Sequence, residues 1–171
     1  HGGFVFTSNV DAQFQKAGFP ESTVMECHGT IHFLQCLEHC SDGIWPADGF
    51  EPEIDEESCR IVSDMPRCIN CGALARPAIL MFNDWDWAEG RTRLQSARFS
   101  QWRSRAERPV VIEIGAGSSI ATVRHFSHSQ EAPIIRINPT EYQVPRSADV
   151  GIPTGALDGI SGILTAFAEV D

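Results

Sequence analysis

Residues 26–40 read "ECHGTIHFLQCLEHC" and carry Cys27, His28, His32, Cys36, His39 and Cys40. Thiols and imidazoles so closely spaced serve metal binding or proton transfer, and the spacing separates the two. Cys36 and Cys40 are spaced C-x3-C, and "CINCG" adds Cys68 and Cys71, spaced C-x2-C, with 27 residues between the pairs. Thiols two or three apart can face one ion across a tight turn, so Cys36, Cys40, Cys68 and Cys71 are expected to hold a structural, four-coordinate zinc. Cys27, in a strand, and Cys59, alone in an acidic stretch, are left outside that set. "HGTIH" places His28 and His32 four apart, but Gly29 stands where a zinc hydrolase of the H-E-x-x-H type has its glutamate, so a catalytic zinc is rejected. His32 and His39 read as ordinary surface or core histidines.

These side chains need elements to hold them. Apolar runs at "FVFTSN" (4–9), "TVMECHG" (23–29), the start of "AILMFNDWDW" (78–87), "PVVIEIGAGSS" (109–119) and "PIIRIN" (133–138) are expected to be strands,. "VDAQFQKAG" (10–18), residues 89–108, "IATVRHFSH" (120–128) and residues 155–170 are expected to be helices,. The inner faces are expected to carry Leu94, Ala97, Trp102 and Ala106 in the second helix, and Ile160, Ile163, Leu164 and Phe167 in the last. Residues 30–76 read as a loop-rich insert that needs a staple. Strands that alternate with helices and are apolar throughout imply an α/β, doubly wound parallel sheet of Rossmann-like but incomplete form, with a small zinc-binding insert. Its parts are a Rossmann-like part at 1–32, a zinc-binding module at 33–75 and a second Rossmann-like part at 76–171. Ligands of such sheets sit at the C-terminal strand ends, where "SNVD", "GAGSS" and "NPT" fall,.

The chain has 171 residues and a formal net charge of -10. An acidic chain repels a phosphate backbone, so no direct nucleic-acid partner is expected. No apolar run approaches the roughly 20 residues that cross a bilayer, and no membrane partner is expected. Six cysteines in a chain with no secretory pattern at its start suit metal binding in a cytoplasmic, reducing compartment,.

Taken together, these segments resemble the sirtuin (Sir2) family of NAD-dependent protein deacylases. "TSNVDAQFQKAG" (7–18) is similar to that family's T-Q-N-x-D-G-L-H-x-x-A-G, and "ECHGT" (26–30) to E-L-H-G-[ST]. "RPAILMFND" (76–84) resembles R-P-x-V-V-x-F-G-E, "GAGSSIAT" (115–122) sits in the place of G-T-S-L-x-V-x-P, and "INPT" (137–140) matches the strand-end Asn segment. The resemblance implies removal of acyl groups from lysine with NAD, releasing nicotinamide and O-acyl-ADP-ribose, and an acyl-lysine protein or peptide as partner. It makes His28 the general base, with Asn9 and Asp11 at the nicotinamide and ribose end of NAD beside Ser8. Gly115, Ala116, Gly117 and Ser118 would approach phosphates and ribose, Asn138 and Thr140 the adenosine ribose, and Ala156 the adenine. Ile79, Leu80 and Phe82 would line an acyl-lysine channel, with the backbone at Asn83 pairing with the peptide as an added strand. The family's first Gly-rich NAD loop and its P-D-F-R segment precede "T-Q-N". The chain is therefore expected to be about the C-terminal two-thirds of a catalytic domain, with little catalysis by itself. The alternatives are a sirtuin-like ADP-ribosyltransferase or NAD hydrolase, and a non-catalytic zinc-stapled binding fragment.

Overall fold

A computed structural model describes residues 2–169. The chain divides into two compact units after Ser104.

The first unit opens with β1 (Val5–Thr7), a four-residue helix α1 (Gln13–Lys16), a 3-10 turn at Glu21–Thr23 and β2 (Val24–Glu26). α1 starts where Asp11 Oδ1 accepts the Gln13 N–H at 3.3 Å, and it stops at Gly18, whose φ of 94° no side chain favours,. β1 and β2 pair in parallel, with Thr7 opposite Glu26. β3 (Gly29–Cys36) follows after a two-residue turn and stands between β4 (Ile44–Pro46) and β7 (Ala75–Ile79), antiparallel to both. A small hairpin, β5 (Ile54–Asp55) and β6 (Arg60–Ile61), fills part of the acidic stretch.

The insert therefore has more strand than its composition suggested. "GTIHFLQC" is an eight-residue central strand. Its polar and sulfur-bearing residues mask the pattern because Thr30, Gln35 and Cys36 are buried by hydrogen bonding and clustering rather than by apolar packing. The run at "AILMFNDWDW" yields β7, which joins this antiparallel sheet.

Helix α2 (Gly90–Arg103) closes the first unit. It packs through Phe99 and Trp102 on Phe4, with ring centroids 5.3 and 5.7 Å away. The expected inner face is corrected: Leu94 is 65% exposed, Ala97 is exposed and Ala106 lies beyond the helix end. Gln95 is fully buried instead, because the surface it meets is the polar end of β2. Apolar periodicity cannot report a polar inner face.

The second unit holds β8 (Val111–Ile114), α3 (Thr122–Ser129), β9 (Ile134–Ile137), β10 (Val150–Ile152) and α4 (Ala156–Ala168). Its strands are parallel in the order β10-β9-β8, with Ile134 and Ile137 of the central strand each 1% exposed. β10 was not expected from its sequence, "VGI". The α4 face is also corrected. Leu164 and Phe167 are 65% and 69% exposed, and the close contact is made by Gly159, where a Cβ would lie 2.5 Å from Ile137 Cγ2. A glycine brings helix and strand together, and an apolar count passes over it.

The chain is thus α/β, with parallel strands in each unit and the paired cysteines in an insert within the first. No helix among the described residues is long and apolar enough to cross a membrane.

Candidate functional site

In the first unit the candidate residues lie at the C-terminal ends of the parallel pair β1–β2. Thr7, 8% exposed, joins the two ends. Its Oγ1 accepts the Asn9 N–H at 3.1 Å and its carbonyl accepts the Cys27 N–H at 2.9 Å. The Ser8–Asp11 loop is held from its other side by the start of β3: the Val10 carbonyl accepts from the Ile31 N–H at 3.0 Å and the Thr30 hydroxyl at 3.2 Å. His32 Nε2–H donates to the Asp11 carbonyl at 3.3 Å. His32 therefore has a specific bracing task, which its sequence position alone did not reveal.

His28 occupies the turn between β2 and β3 and is half-buried. Its carbonyl accepts the Leu80 N–H at 2.9 Å. Gly29 follows with φ of 78°, and a Cβ there would lie 2.1 Å from the Ala78 carbonyl oxygen. Only glycine lets the turn close against β7 at this point. Burial pushes the neighbouring Cys27 thiol up to about 11, so it stays protonated and unreactive near neutrality.

Ile79 ends β7, and Leu80, Phe82 and Asn83 lie in the loop beyond it. That loop is built on polar anchors. The Arg76 guanidinium donates to the Ile79 carbonyl at 3.1 Å and to Asp84 Oδ1 at 2.9 Å. Gln35, from β3, donates to the Asp86 carbonyl at 2.7 Å and accepts the Ala88 N–H at 3.1 Å. Asn83 takes the left-handed conformation, φ 57°, which asparagine tolerates better than most residues. Phe82 and Trp85 stand 85% and 92% exposed. Arg76, Asp84 and Gln35 were not singled out from sequence, because nothing in their spacing reveals a shared loop.

Cys36, Cys40, Cys68 and Cys71 come together with all four sulfurs within 4.8 Å of one another. The Cys36–Cys71 and Cys40–Cys68 separations are both 3.6 Å, far beyond a disulfide. Zinc–sulfur bonds of about 2.3 Å set tetrahedral ligand sulfurs about 3.8 Å apart, so the donor set fits a structural zinc with no open position. Two turns present these ligands. Cys36 ends β3, paired with Ala75, and the Leu37 N–H reaches the Leu74 carbonyl at 2.9 Å. In the second turn Gly72, with φ of 74°, donates to the Cys68 carbonyl at 3.0 Å. The N–H groups of Cys71 and Asn70 hold the Cys68 thiol down to about 6, whereas the facing thiols, Cys71 first, push Cys40 up to about 12. Four thiolates at these distances need a cation between them. Cys27 and Cys59 stay outside the cluster. His39 is no ligand either: its Nε2 donates to Asp42 Oδ1 at 2.8 Å and its Nδ1 to the Asp86 carbonyl at 3.0 Å, and these acceptors, Asp42 first, raise its pKa.

The second unit brings its own candidates to one edge. Gly115, φ 69°, ends β8 and donates to the Ile137 carbonyl at 2.9 Å. A Cβ added at Gly115 or Gly117 would meet nothing within 4 Å, so the turn from Gly115 to Ser118 is open on its outer side and leaves room for a phosphate or ribose. Asn138, at the end of β9, is turned inward. Its Nδ2 donates to the Ala116 carbonyl at 3.2 Å, and its Oδ1 accepts from the Thr140 N–H at 3.0 Å and the Glu141 N–H at 2.8 Å. Arg124, not anticipated from sequence, adds Nε and Nη2 hydrogen bonds of 3.1 and 2.9 Å to the same Ala116 carbonyl. Ala156 is exposed in the first turn of α4.

Residues 3–120 match the family model described as "Sir2 family". An NAD-dependent protein deacylase of Corynebacterium glutamicum is 27% identical over 154 residues, 85% of this chain and 52% of the relative. One from Aquifex aeolicus is 26% identical over 169 residues, covering 97% and 62% of the two chains. A probable bifunctional ADP-ribose hydrolase/ADP-ribosyltransferase of Fusarium oxysporum f. sp. cubense is 32% identical over 129 residues, covering 67% of this chain and 21% of that protein. Among solved structures, a Sir2 protein with p53 peptide and NAD+ superposes with a TM-score of 0.57 at 19% identity, covering 97% of this chain and 62% of the other. Sir2Tm bound to a propionylated peptide gives 0.60 at 18% identity, covering 96% and 64%. The chain spans about half to three-fifths of the length of these two deacylases, at 52% and 62%.

Proposed function

The chain belongs to the Sir2 family, and on that premise we propose that the whole protein is an NAD-dependent protein lysine deacylase. Its substrate is an acyl-lysine in a protein or peptide, and its products are nicotinamide, free lysine and O-acyl-ADP-ribose. The observation that carries this reading is the union, through Thr7, of the Asn9–Asp11 loop with the His28 turn.

NAD, when bound, supplies the ribose carbon that loses nicotinamide and receives the acyl oxygen. Asp11 and Asn9 place a carboxylate and an amide where positive charge develops on that sugar. With NAD bound, His28 would take a proton from a ribose hydroxyl, the work of a general base. Ser8 flanks this end of the site. The backbone of Gly115, Ala116, Gly117 and Ser118 receives phosphate and ribose, braced by Asn138, with Thr140 and Ala156 toward the adenosine. Ile79, Leu80 and Phe82 line the acyl-lysine path, and Asn83 offers backbone to the peptide. Cys36, Cys40, Cys68 and Cys71 hold zinc as a staple, remote in chemistry from the reaction. The same reading keeps the Rossmann-like parts at 1–32 and 76–171, the zinc module at 33–75, and a cytoplasmic location, which suits six unpaired thiols.

The test is formation of free lysine from an acyl-lysine peptide and NAD by the full-length protein against its His28→Ala variant. Loss of a general base lowers the rate by about 10²–10⁴-fold; equal rates would overturn the assignment. ADP-ribosyl transfer is a second reading, favoured by the Fusarium relative. Labelled NAD that yields ADP-ribosyl-protein and no O-acyl-ADP-ribose would select it.

A further inference from the structure

His28 is an unusual candidate base, because no hydrogen bond to its imidazole is found among the described residues. A base in an active site is ordinarily oriented by a third group. Here the backbone must aim it, and the anchoring of that backbone is concentrated two residues earlier, at Glu26.

Glu26 is 1% exposed and ends β2. Helix α2 grips its backbone N–H, its carbonyl and one of its two carboxylate oxygens. Gln95 Oε1 accepts the Glu26 N–H at 3.0 Å, and the Thr92 hydroxyl donates to the Glu26 carbonyl at 3.0 Å. Gln95 Nε2 donates to Glu26 Oε2 at 3.3 Å, and the Arg91 guanidinium pairs with the same oxygen. Arg91 also reaches Glu21 at 3.0 Å and lies 5.2 Å from the Phe33 ring centroid. Glu26 Oε1 has no partner among the described residues.

Polar burial on this scale is costly relative to an apolar contact. Apolar side chains would hold α2 on β2, but they would leave the strand free to slide or rotate, whereas directional hydrogen bonds fix both. Two residues of chain span at most about 7 Å, so the end fixed at Glu26 leaves His28 little freedom. The Cys27 N–H on Thr7 and the Leu80 N–H on the His28 carbonyl complete the grip.

We infer that the polar face of α2, formed by Arg91, Thr92 and Gln95, aims the His28 imidazole by immobilising the end of β2. These are positioning residues and touch no substrate. The inference rests on the deacylase reading for its catalytic consequence.

The test uses Thr92→Val, Thr92→Ser and Gln95→Met in the full-length protein, with three readouts. The first is exchange of labelled nicotinamide into NAD in the presence of an acyl-lysine peptide, which precedes the step assigned to His28. The second is formation of free lysine, which requires that step. The third is the NMR titration midpoint of the His28 imidazole, which needs no reaction. Misplacement of a reacting group by about 1 Å can cost about 10²-fold. Thr92→Val and Gln95→Met are therefore expected to lower lysine formation at least about tenfold, to leave exchange within about twofold, and to move the His28 midpoint. Thr92→Ser, which keeps the hydroxyl, should match the parent in all three. Exchange and lysine formation falling together, both unchanged, or an unmoved midpoint would overturn the inference. If the parent exchanges no nicotinamide, the deacylase reading fails instead, and the His28 midpoint alone decides the positioning.

Discussion

At Gly29 a single methyl group would strike the backbone of the neighbouring strand, 2.1 Å from the Ala78 oxygen, on a residue already at φ 78°. Gly29→Ala is expected to cost about 3 kcal/mol or more, through strain and a broken β3–β7 contact, and thermal unfolding measures it. Gly72→Ala, also at positive φ but with nothing within 4 Å, should cost only the αL penalty of about 1 kcal/mol. The ligand cysteines could be read from sequence because a tight turn forces near neighbours into one place. Asn138 was legible as part of a strand-end turn, but its amide is spent on Ala116, Thr140 and Glu141. A one-dimensional pattern cannot tell an inward amide from an outward one. His32, too, gained its role from the Asp11 carbonyl, 21 positions away.

Strands were legible where the run of residues is mostly apolar, as in β1, β2, β8 and β9, even though β8 buries its one polar residue, Glu113, rather than its isoleucines; the polar run of β3 hid its strand. In the second unit Glu113 and Arg136 face each other across β8 and β9, and both are buried. The Arg136 guanidinium also reaches the Gln143 carbonyl and lies 3.2 Å from His128 Nε2. Removing one member strands the other charge, so Glu113→Gln should cost about 3–5 kcal/mol, while the double Glu113→Leu/Arg136→Met variant should lose much less. Urea unfolding of the single and double variants checks both. Asp149 gives the same unit a pH dependence. The Arg146 guanidinium, with help from the Ile134 N–H, holds its carboxyl below the ordinary 3.8. A depressed carboxylate stabilises the fold above its unfolded value and loses that contribution as pH falls through its folded value. Asp149→Asn should therefore lower the urea midpoint at pH 7, and the gap to the parent should close in acid.

For the whole molecule, the divided cysteine pairs made the zinc staple readable, whereas the division after Ser104 left no mark in composition. Metal analysis is expected to find one zinc per chain. Cys36→Ser or Cys71→Ser should abolish it, and Cys27→Ser and Cys59→Ser should leave it intact. β3 gives this staple a reach beyond its own neighbourhood. The strand begins at Gly29, directly after His28, and ends on the ligand Cys36, a run of roughly 23 Å at about 3.3 Å per residue. The candidate base His28 and the four-thiol site thus sit at opposite ends of one beam, with the Asp86–Ala88 backbone moored to it through Gln35. An oxidant that strips the thiols of their ion would slacken that beam at its far end. Turnover should fall with zinc release even though no reacting atom has been modified, and should return when zinc is restored to the reduced protein.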